Sequence, residues 1–226
     1  MAISLSQNIG VRVTASTVTM AFGSANAGGS LLTLEMRTGN SGGCASTVND
    51  SAGNTWLLAG RVVQASGTSG EIWYAQNANG STNTIAVTPV DGGGVTMGNA
   101  QEWSGCSTAN TLALVSTHAG LVAQSTHSAG TVDVPLSTTV GIILHGFTTT
   151  FDIVAGPTGY TPLISTFSNM LAYYRIYTST GLDTPESVSS ATETSVNVLA
   201  LFLGGTPAAP ANAMLRRKGL TLMGAS

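Results

Sequence analysis

Apolar and polar residues alternate along much of the chain with the two-residue period of a β-strand. Residues 16–22 (STVTMAF) place Val18, Met20 and Phe22 on one face and threonines on the other, and residues 83–89 (NTIAVTP) follow the same pattern. Successive side chains of a strand point to opposite faces of its sheet. The alternation therefore predicts strands with one apolar and one polar face.

The same signal recurs across the sequence. Residues 31–37 (LLTLEMR) set three apolar side chains opposite Glu35 and Arg37. Runs rich in β-branched and aromatic residues, bounded by Gly, Asn and Ser clusters, are typical of strands. They predict further strands at residues 56–64, 71–76, 95–103, 111–117, 131–136, 139–147, 169–178 and 196–203.

Two of these segments differ from the rest. Residues 139–147 (TVGIILHGF) and 196–203 (VNVLALFL) are apolar at nearly every position, which predicts central strands covered on both faces. No convincing helical periodicity occurs before residue 207. Many strands without intervening helices indicate a single, jelly-roll-like antiparallel β-sandwich over residues 1–205.

Residues 206–226 (TPAAPANAMLRRKGLTLMGAS) differ in composition from the rest. Pro207 and Pro210 break the last strand, so we interpret the segment as a linker and a C-terminal docking tail. Its apolar side chains would be buried in a neighbour while its basic ones meet acidic groups there. The alternative is a disordered terminus. The docking candidates are Met214, Leu215, Arg216, Arg217, Lys218, Leu220 and Met223.

Charge excludes several classes of partner. Only 8% of the 226 residues are charged and the net charge is −3. Three of the seven basic residues lie in the tail, which leaves four against ten acidic residues. Nucleic acid is therefore not an expected partner.

A membrane is not an expected partner either, since no apolar run approaches the roughly 20 residues of a span. The N-terminus has no basic and apolar leader, which predicts synthesis in a host cytoplasm without a signal peptide.

The segment NDSAGNTW (49–56) combines Asp50, Asn54 and Trp56 around a glycine. Its oxygens are ligands that calcium accepts, but a complete site needs six to eight and this loop offers about three. Asp at a turn start bonds forward to backbone amides, and Gly and Asn tolerate positive φ. The pattern favours a tight turn, and calcium is the only cofactor that we consider.

The large aromatic residues Trp56, Trp73, Tyr74 and Trp103 allow two interpretations. If exposed they would form an interface or stack on a sugar ring, and if buried they belong to the core. Adjacent Trp73 and Tyr74 must face opposite sides of their strand. At least one of them is therefore expected to point away from the main core, towards a ligand or a subunit.

The sequence gives little support for any set of catalytic residues. GNSGG (39–43) is like the serine loop of chymotrypsin-like proteases, but Asn40 stands where that loop has aspartate. His118, His127 and His145 all follow Ser41, which is the wrong order for that family. The histidines lack metal-site spacing. The strand carboxylates Glu35, Glu71 and Glu102 show no glycosidase-like pairing. The sequence predicts no enzyme, and a hydrolase is disfavoured.

Two cysteines, Cys44 and Cys106, allow either one disulfide or two thiols. A protein made in a reducing cytoplasm favours buried free thiols.

Three stretches occur in a recognisable order: VNDSAGNTW (48–56), EIWYAQNANGSTNTIAVTP (71–89) and AQEWSG (100–105). The chain resembles a widespread, poorly characterised group of phage and bacterial β-sandwich proteins. These share a DSxGNT turn, an IWYAxN strand and an EWSG motif. The resemblance covers roughly residues 1–204, including LAYYRIYTSTG (171–181) and VLALFL (198–203). It implies a sandwich fold in a virion or a secreted module, and no catalytic residues.

These observations lead to one expected function and one alternative. We expect a virion structural protein of a bacteriophage, used in capsid decoration, a head spike or fibre, or a tail. Its partners would be copies of itself, as a dimer or trimer, and other virion proteins such as the major capsid protein. The alternative is a carbohydrate-binding module that recognises host surface glycans through Trp56 or Trp73, with calcium at Asp50.

Overall fold

The computed structural model describes residues 2–39, 42–64, 67–90, 95–135, 138–147, 153–163 and 170–205. Its regular structure is entirely β. The strands are β1 (Ser4–Thr14), β2 (Val18–Ala21), β3 (Leu31–Thr38), β4 (Ala45–Asp50), β5 (Leu57–Gln64), β6 (Thr68–Ala75), β7 (Thr84–Pro89), β8 (Val95–Ser104), β9 (Leu112–Ser128), β10 (Val132–Val134), β11 (Thr139–Phe147), β12 (Ile153–Ala155), β13 (Thr161–Pro162), β14 (Met170–Tyr177), β15 (Gly181–Asp183) and β16 (Glu186–Leu203).

These strands form four sheets in the described part of the chain. Sheet A has the order β1-β8-β3-β6-β5 and sheet B the order β2-β7-β4. Sheet C has the order β12-β16-β11-β14-β13, with β9 also paired to β16, and sheet D is the pair β10-β15. Every strand pair is antiparallel. The predicted all-β antiparallel sandwich is confirmed.

The sheets divide the chain into two consecutive halves. Strands β1 to β8 build sheets A and B, whereas β9 to β16 build sheets C and D. One hydrophobic cluster, which includes Met20, Leu34 and Ile85, fills the space between sheets A and B. A second, with Ile143 and Leu199, lies between sheets C and D. Each half therefore has two layers and its own core.

The largest cluster joins the two halves. Ile72, Tyr74 and Trp103 from sheet A pack against side chains of sheet C such as Ile142 and Phe202. Sheet A is consequently covered on both faces, by sheet B on one side and by sheet C on the other. Burial on this scale is the main stabilising contribution expected for a domain of this size.

Burial along the strands confirms most of the predicted apolar faces. Val18, Met20 and Phe22 are buried together, and every residue of β11 is buried in the centre of sheet C. In β3, however, the polar side chains are buried as well as the apolar ones, because both faces of sheet A are covered. The expected polar face of β3 is therefore an interior surface.

Candidate functional site

The segment around Asp50 forms a hydrogen-bonded turn after β4. The carboxylate of Asp50 accepts four hydrogen bonds: from the backbone N–H of Asn54 (2.9 Å), Asn54 Nδ2 (2.7 Å), Trp56 Nε1 (3.0 Å) and Asn83 Nδ2 (3.1 Å). Gly53 supplies the positive φ of 72° that the turn requires. One carboxylate thus joins the turn to β5 and to the start of β7.

The turn also holds a second loop in place. Asn54 Oδ1 accepts the backbone N–H of Asn79 at 2.7 Å, and Asn79 Nδ2 donates to the carbonyl of Ala52 at 2.9 Å. Burial alone would raise the pKa of Asp50, but the hydrogen bonds from Asn54, Asn83 and Trp56 outweigh it and hold that pKa below its usual value. The segment is a structural turn that is joined by hydrogen bonds to the loop between β6 and β7.

The calcium site at Asp50 and Asn54 stays a prediction. In this arrangement N–H groups point at both Asp50 oxygens, and a cation at those oxygens needs lone pairs instead. No group of three or more His, Cys, Asp or Glu side chains suited to a metal occurs among the described residues.

Asp50→Asn is expected to destabilise the fold by about 2 kcal/mol, because one carboxylate oxygen becomes an amide that faces N–H donors. Urea unfolding followed by tryptophan fluorescence measures the change. Asp133→Asn, on an exposed position of β10, is the matched control and should have little effect.

Calcium provides a second readout of the same turn. The hydrogen-bonded arrangement predicts the same unfolding midpoint with calcium and with a chelator. A midpoint that rises with calcium in the native protein, and not in Asp50→Asn, would support the metal site instead.

The four aromatic side chains lie on both faces of sheet A. Trp56 is 8% exposed and Trp103 is fully buried, while Trp73 is half-buried against the cluster between sheets A and B. Tyr74 packs on the other face, 5.5 Å from the ring of Phe202. Trp73 and Tyr74 do face opposite sides, but both sides are interior. Sugar stacking needs an exposed ring face, which the structure does not give Trp56 or Trp103.

The three strand carboxylates have separate environments. Glu71 holds the loop before β4: its oxygens accept the backbone N–H of Cys44 (2.7 Å), Arg61 Nε (2.6 Å) and Trp73 Nε1 (2.6 Å). Glu102 accepts the backbone N–H of Ala27 at 2.6 Å. Both act as acceptors for backbone and side-chain donors.

Glu35 is different because its carboxyl group is fully buried and receives few hydrogen bonds. Gln101 Nε2 donates to its Oε2 at 2.7 Å, and its Oε1 has no hydrogen-bond partner. The side-chain amide of Asn99, the cross-strand neighbour of Glu35, also has none. Burial raises the pKa of Glu35 to about 8. This carboxyl group therefore holds a proton at neutral pH.

Two histidines are joined by a chain of hydrogen bonds on the face of sheet C opposite sheet A. His145 Nδ1 lies 2.8 Å from Asn197 Oδ1, and Asn197 Nδ2 donates to Ser195 Oγ at 3.0 Å. Ser195 Oγ lies 3.0 Å from His127 Nδ1, and His127 Nε2 lies 3.0 Å from Ser189 Oγ.

The chemistry of the end groups fixes the direction of this chain. Ser189 donates its hydroxyl hydrogen to the carbonyl of Ala191 at 2.6 Å, so it accepts from His127 Nε2–H. Burial lowers the pKa of His127 and so favours the neutral ring, in which Nδ1 accepts from Ser195. His145 carries its hydrogen on Nδ1 because Asn197 Oδ1 only accepts. Both histidines are neutral in this arrangement, and burial lowers the pKa of His145 to about 4.

Sequence reasoning missed the contact between Ser189, Ser195 and His127. Nothing in the sequence brings together groups that are 62 and 68 residues apart. The three side chains are buried, so a substrate has no access to them as arranged. Of the other expected histidines, His118 is exposed on β9.

Both cysteines are buried free thiols, as expected. They belong to different hydrophobic clusters, Cys44 to that between sheets A and B and Cys106 to that between sheets A and C. The central Asn40 and Ser41 of the GNSGG loop, and the whole candidate docking tail, lie outside the described residues.

The exposed apolar side chains include one group on a sheet edge. β5 is the last strand of sheet A, and its Leu57, Leu58 and Val63 are 42%, 39% and 40% exposed. The edge strand has no proline or lysine, and its Arg61 is engaged by Glu71. Natural edge strands are commonly protected by such residues. This edge is therefore a candidate surface for association.

No protein-family model and no curated protein matches the chain. In the described part of the structure, no helix has the length and apolar character that crossing a membrane requires.

Proposed function

We propose that this chain is a non-enzymatic structural protein of a bacteriophage particle, which acts by self-association and by docking on other particle proteins such as the major capsid protein. The observation that carries the self-association is the edge strand β5, with three exposed apolar side chains on a sheet edge that has no further strand partner in the described part of the chain. A surface with few charges adds little repulsion between copies.

The hydrogen bonding of the polar groups within the fold supports a non-enzymatic role. Asp50, Glu71 and Glu102 accept several hydrogen bonds each within the fold, and the His127–His145 chain is enclosed. In the described residues, these groups stabilise loops and strand contacts. What the molecule presents to a partner is its sheet edges and apolar side chains.

Self-association is tested by the mass of the native protein in solution. We expect a discrete dimer or trimer, and Val63→Lys should shift it to the monomer, because a lysine on the edge opposes pairing. Leu182→Lys, at a leucine 79% exposed on sheet D, is the matched control and should leave the oligomer intact. A native protein that stays monomeric at high concentration would overturn the proposal.

The assignment to a phage particle is supported by the resemblance of the DSAGNT, IWYAQN and EWSG segments. Mass spectrometry of purified particles tests it. We expect the chain at a copy number comparable with other structural proteins. If the chain is produced in the same cells as the particles but is absent from the purified particles, the assignment is contradicted.

A further inference from the structure

A groove of about 380 Å³ lies where the described chain ends. It is lined by residues 27–30, residues 104–106, Thr108 and Gly205. These residues are small, and four of them are glycines, so the walls are formed largely by backbone and carbon atoms. Its volume lies at the lower end of the range of about 300–1,000 Å³ that is typical of ligand pockets.

The walls of the groove are held by backbone hydrogen bonds. Gly205 N–H donates to the carbonyl of Gly105 at 2.7 Å, and Gly29 N–H donates to that of Ala78 at 2.9 Å. Gly105 has a φ of 77°, and a Cβ there would lie 2.2 Å from the carbonyl oxygen of Ala2. The groove is therefore a fixed feature that a partner side chain would fill, rather than a gap that can collapse.

Residues 206–226 follow directly from one wall of this groove, at Gly205. The segment has no acidic residue, and its large apolar residues are Met214, Leu215, Leu220, Leu222 and Met223. Removal of such side chains from water is favourable, so they favour an apolar groove.

We infer that this groove receives Met214 and Leu215 from the C-terminal segment of a second copy of the chain. The inference rests on the proposed function, since it specifies one contact of the self-association. Each copy would donate one segment and receive one, which closes a ring of two or three copies.

Two features favour a second copy over the same chain. Pro207 and Pro210 disfavour helical backbone at the residues before them, which predicts that the segment starts in an extended form. From Gly205 to Leu215 are ten residues, which reach up to about 33–36 Å when extended. Such a reach allows contact with an adjacent copy.

Cys106 in the groove wall allows a direct test in the full chain. One copy carries Leu215→Cys together with Cys106→Ser, and the other copy is native. After mixing and mild oxidation with copper phenanthroline, we expect a covalent dimer in which peptide mass spectrometry finds residue 215 joined to Cys106. Burial raises the pKa of Cys106 to about 12, so little of this thiol is ionised and chance crosslinks are suppressed.

In the copy that supplies Cys106, Thr108→Trp should fill the groove and abolish the crosslink. Thr126→Trp in the same copy, on an exposed position of β9, should not affect it. A crosslink that forms only within one chain, in the single Leu215→Cys variant, overturns the inference. The inference is also overturned if native mass measurement finds an oligomer but no crosslink forms. In that case the proposed self-association still stands. A protein that is monomeric throughout overturns both.

Discussion

Glu35→Gln is expected to stabilise the protein at alkaline pH, by up to about 5 kcal/mol at pH 9. The pKa of Glu35 is about 8 in the fold, compared with 4.5 for the free group. Each pKa unit corresponds to 1.36 kcal/mol. Between pH 4.5 and 8 the folded state keeps a proton that the unfolded state has lost, so stability falls as pH rises through this window.

Glutamine removes that titration while it keeps the local hydrogen bond. Its carbonyl can accept from Gln101 Nε2, and its amide can donate towards Asn99, whose side chain has no partner. The free energy of unfolding, measured with urea at pH 5, 7 and 9, should increase progressively in the variant relative to the native protein. Equal effects at pH 5 and pH 9 would show that ionisation of Glu35 is not the cause.

Glu102→Gln is the matched control on the same sheet. The carboxylate of Glu102 accepts from Gln7 Nε2 at 2.6 Å as well as from Ala27 N–H, so an amide there sets one donor against another. It should destabilise the protein at every pH. The Glu→Gln substitution is thus expected to change the free energy of unfolding in opposite directions at these two buried glutamates.

Acid should destabilise the protein through His145, by about 3 kcal/mol between pH 6.5 and pH 4. Burial lowers the pKa of His145 from 6.5 to about 4, and His127 is also shifted down by burial. The unfolded chain binds the proton first as pH falls, so the stabilising contribution is complete above pH 6.5 and is lost as pH falls towards 4. His145 Nε2 has no partner that would accept an added proton.

His145→Asn keeps a donor for Asn197 but removes the titrating ring. We expect lower stability at pH 7, because the ring contacts with Phe147 and Tyr173 are lost, and a flatter dependence on pH between 6.5 and 4. Urea unfolding across this range measures it, with His118→Asn on the exposed part of β9 as the control. An unchanged acid slope in His145→Asn would contradict the role of this ring.

Strand positions were predictable where the alternation is strong, and the class of fold followed from them. β1 (Ser4–Thr14) was not among the predicted strands: Ile9, Val11 and Val13 alternate with polar residues, but only in its second half, after a mixed first half. It is an edge strand whose pairing to β8 depends on residues 81 to 100 positions away, from Thr14↔Val95 to Ser4↔Ser104. Local pattern does not carry that information.

The candidate site was predictable only where its parts are close in sequence. The Asp50 turn follows from DSAGNT, since Asp50, Asn54 and Trp56 lie within one loop. The interior polar contacts do not, because Glu35 and Gln101, or His127 and Ser195, meet only through the stacking of sheets. A polar residue in an alternating strand predicts a solvated face, and the second covering sheet reverses that expectation for β3.

The division into two consecutive halves has a consequence during synthesis. Once residue 104 has left the ribosome, sheets A and B and the cluster between them are complete, because they contain only residues from the first half. The outer side of sheet A, with Ile72, Tyr74 and Trp103, then awaits residues that are translated later. Until β11, β14 and β16 have been translated, this apolar face of sheet A is exposed on every nascent chain of a polysome, where it can cause aggregation. We therefore expect the yield of folded protein to depend on translation speed and on chaperone binding.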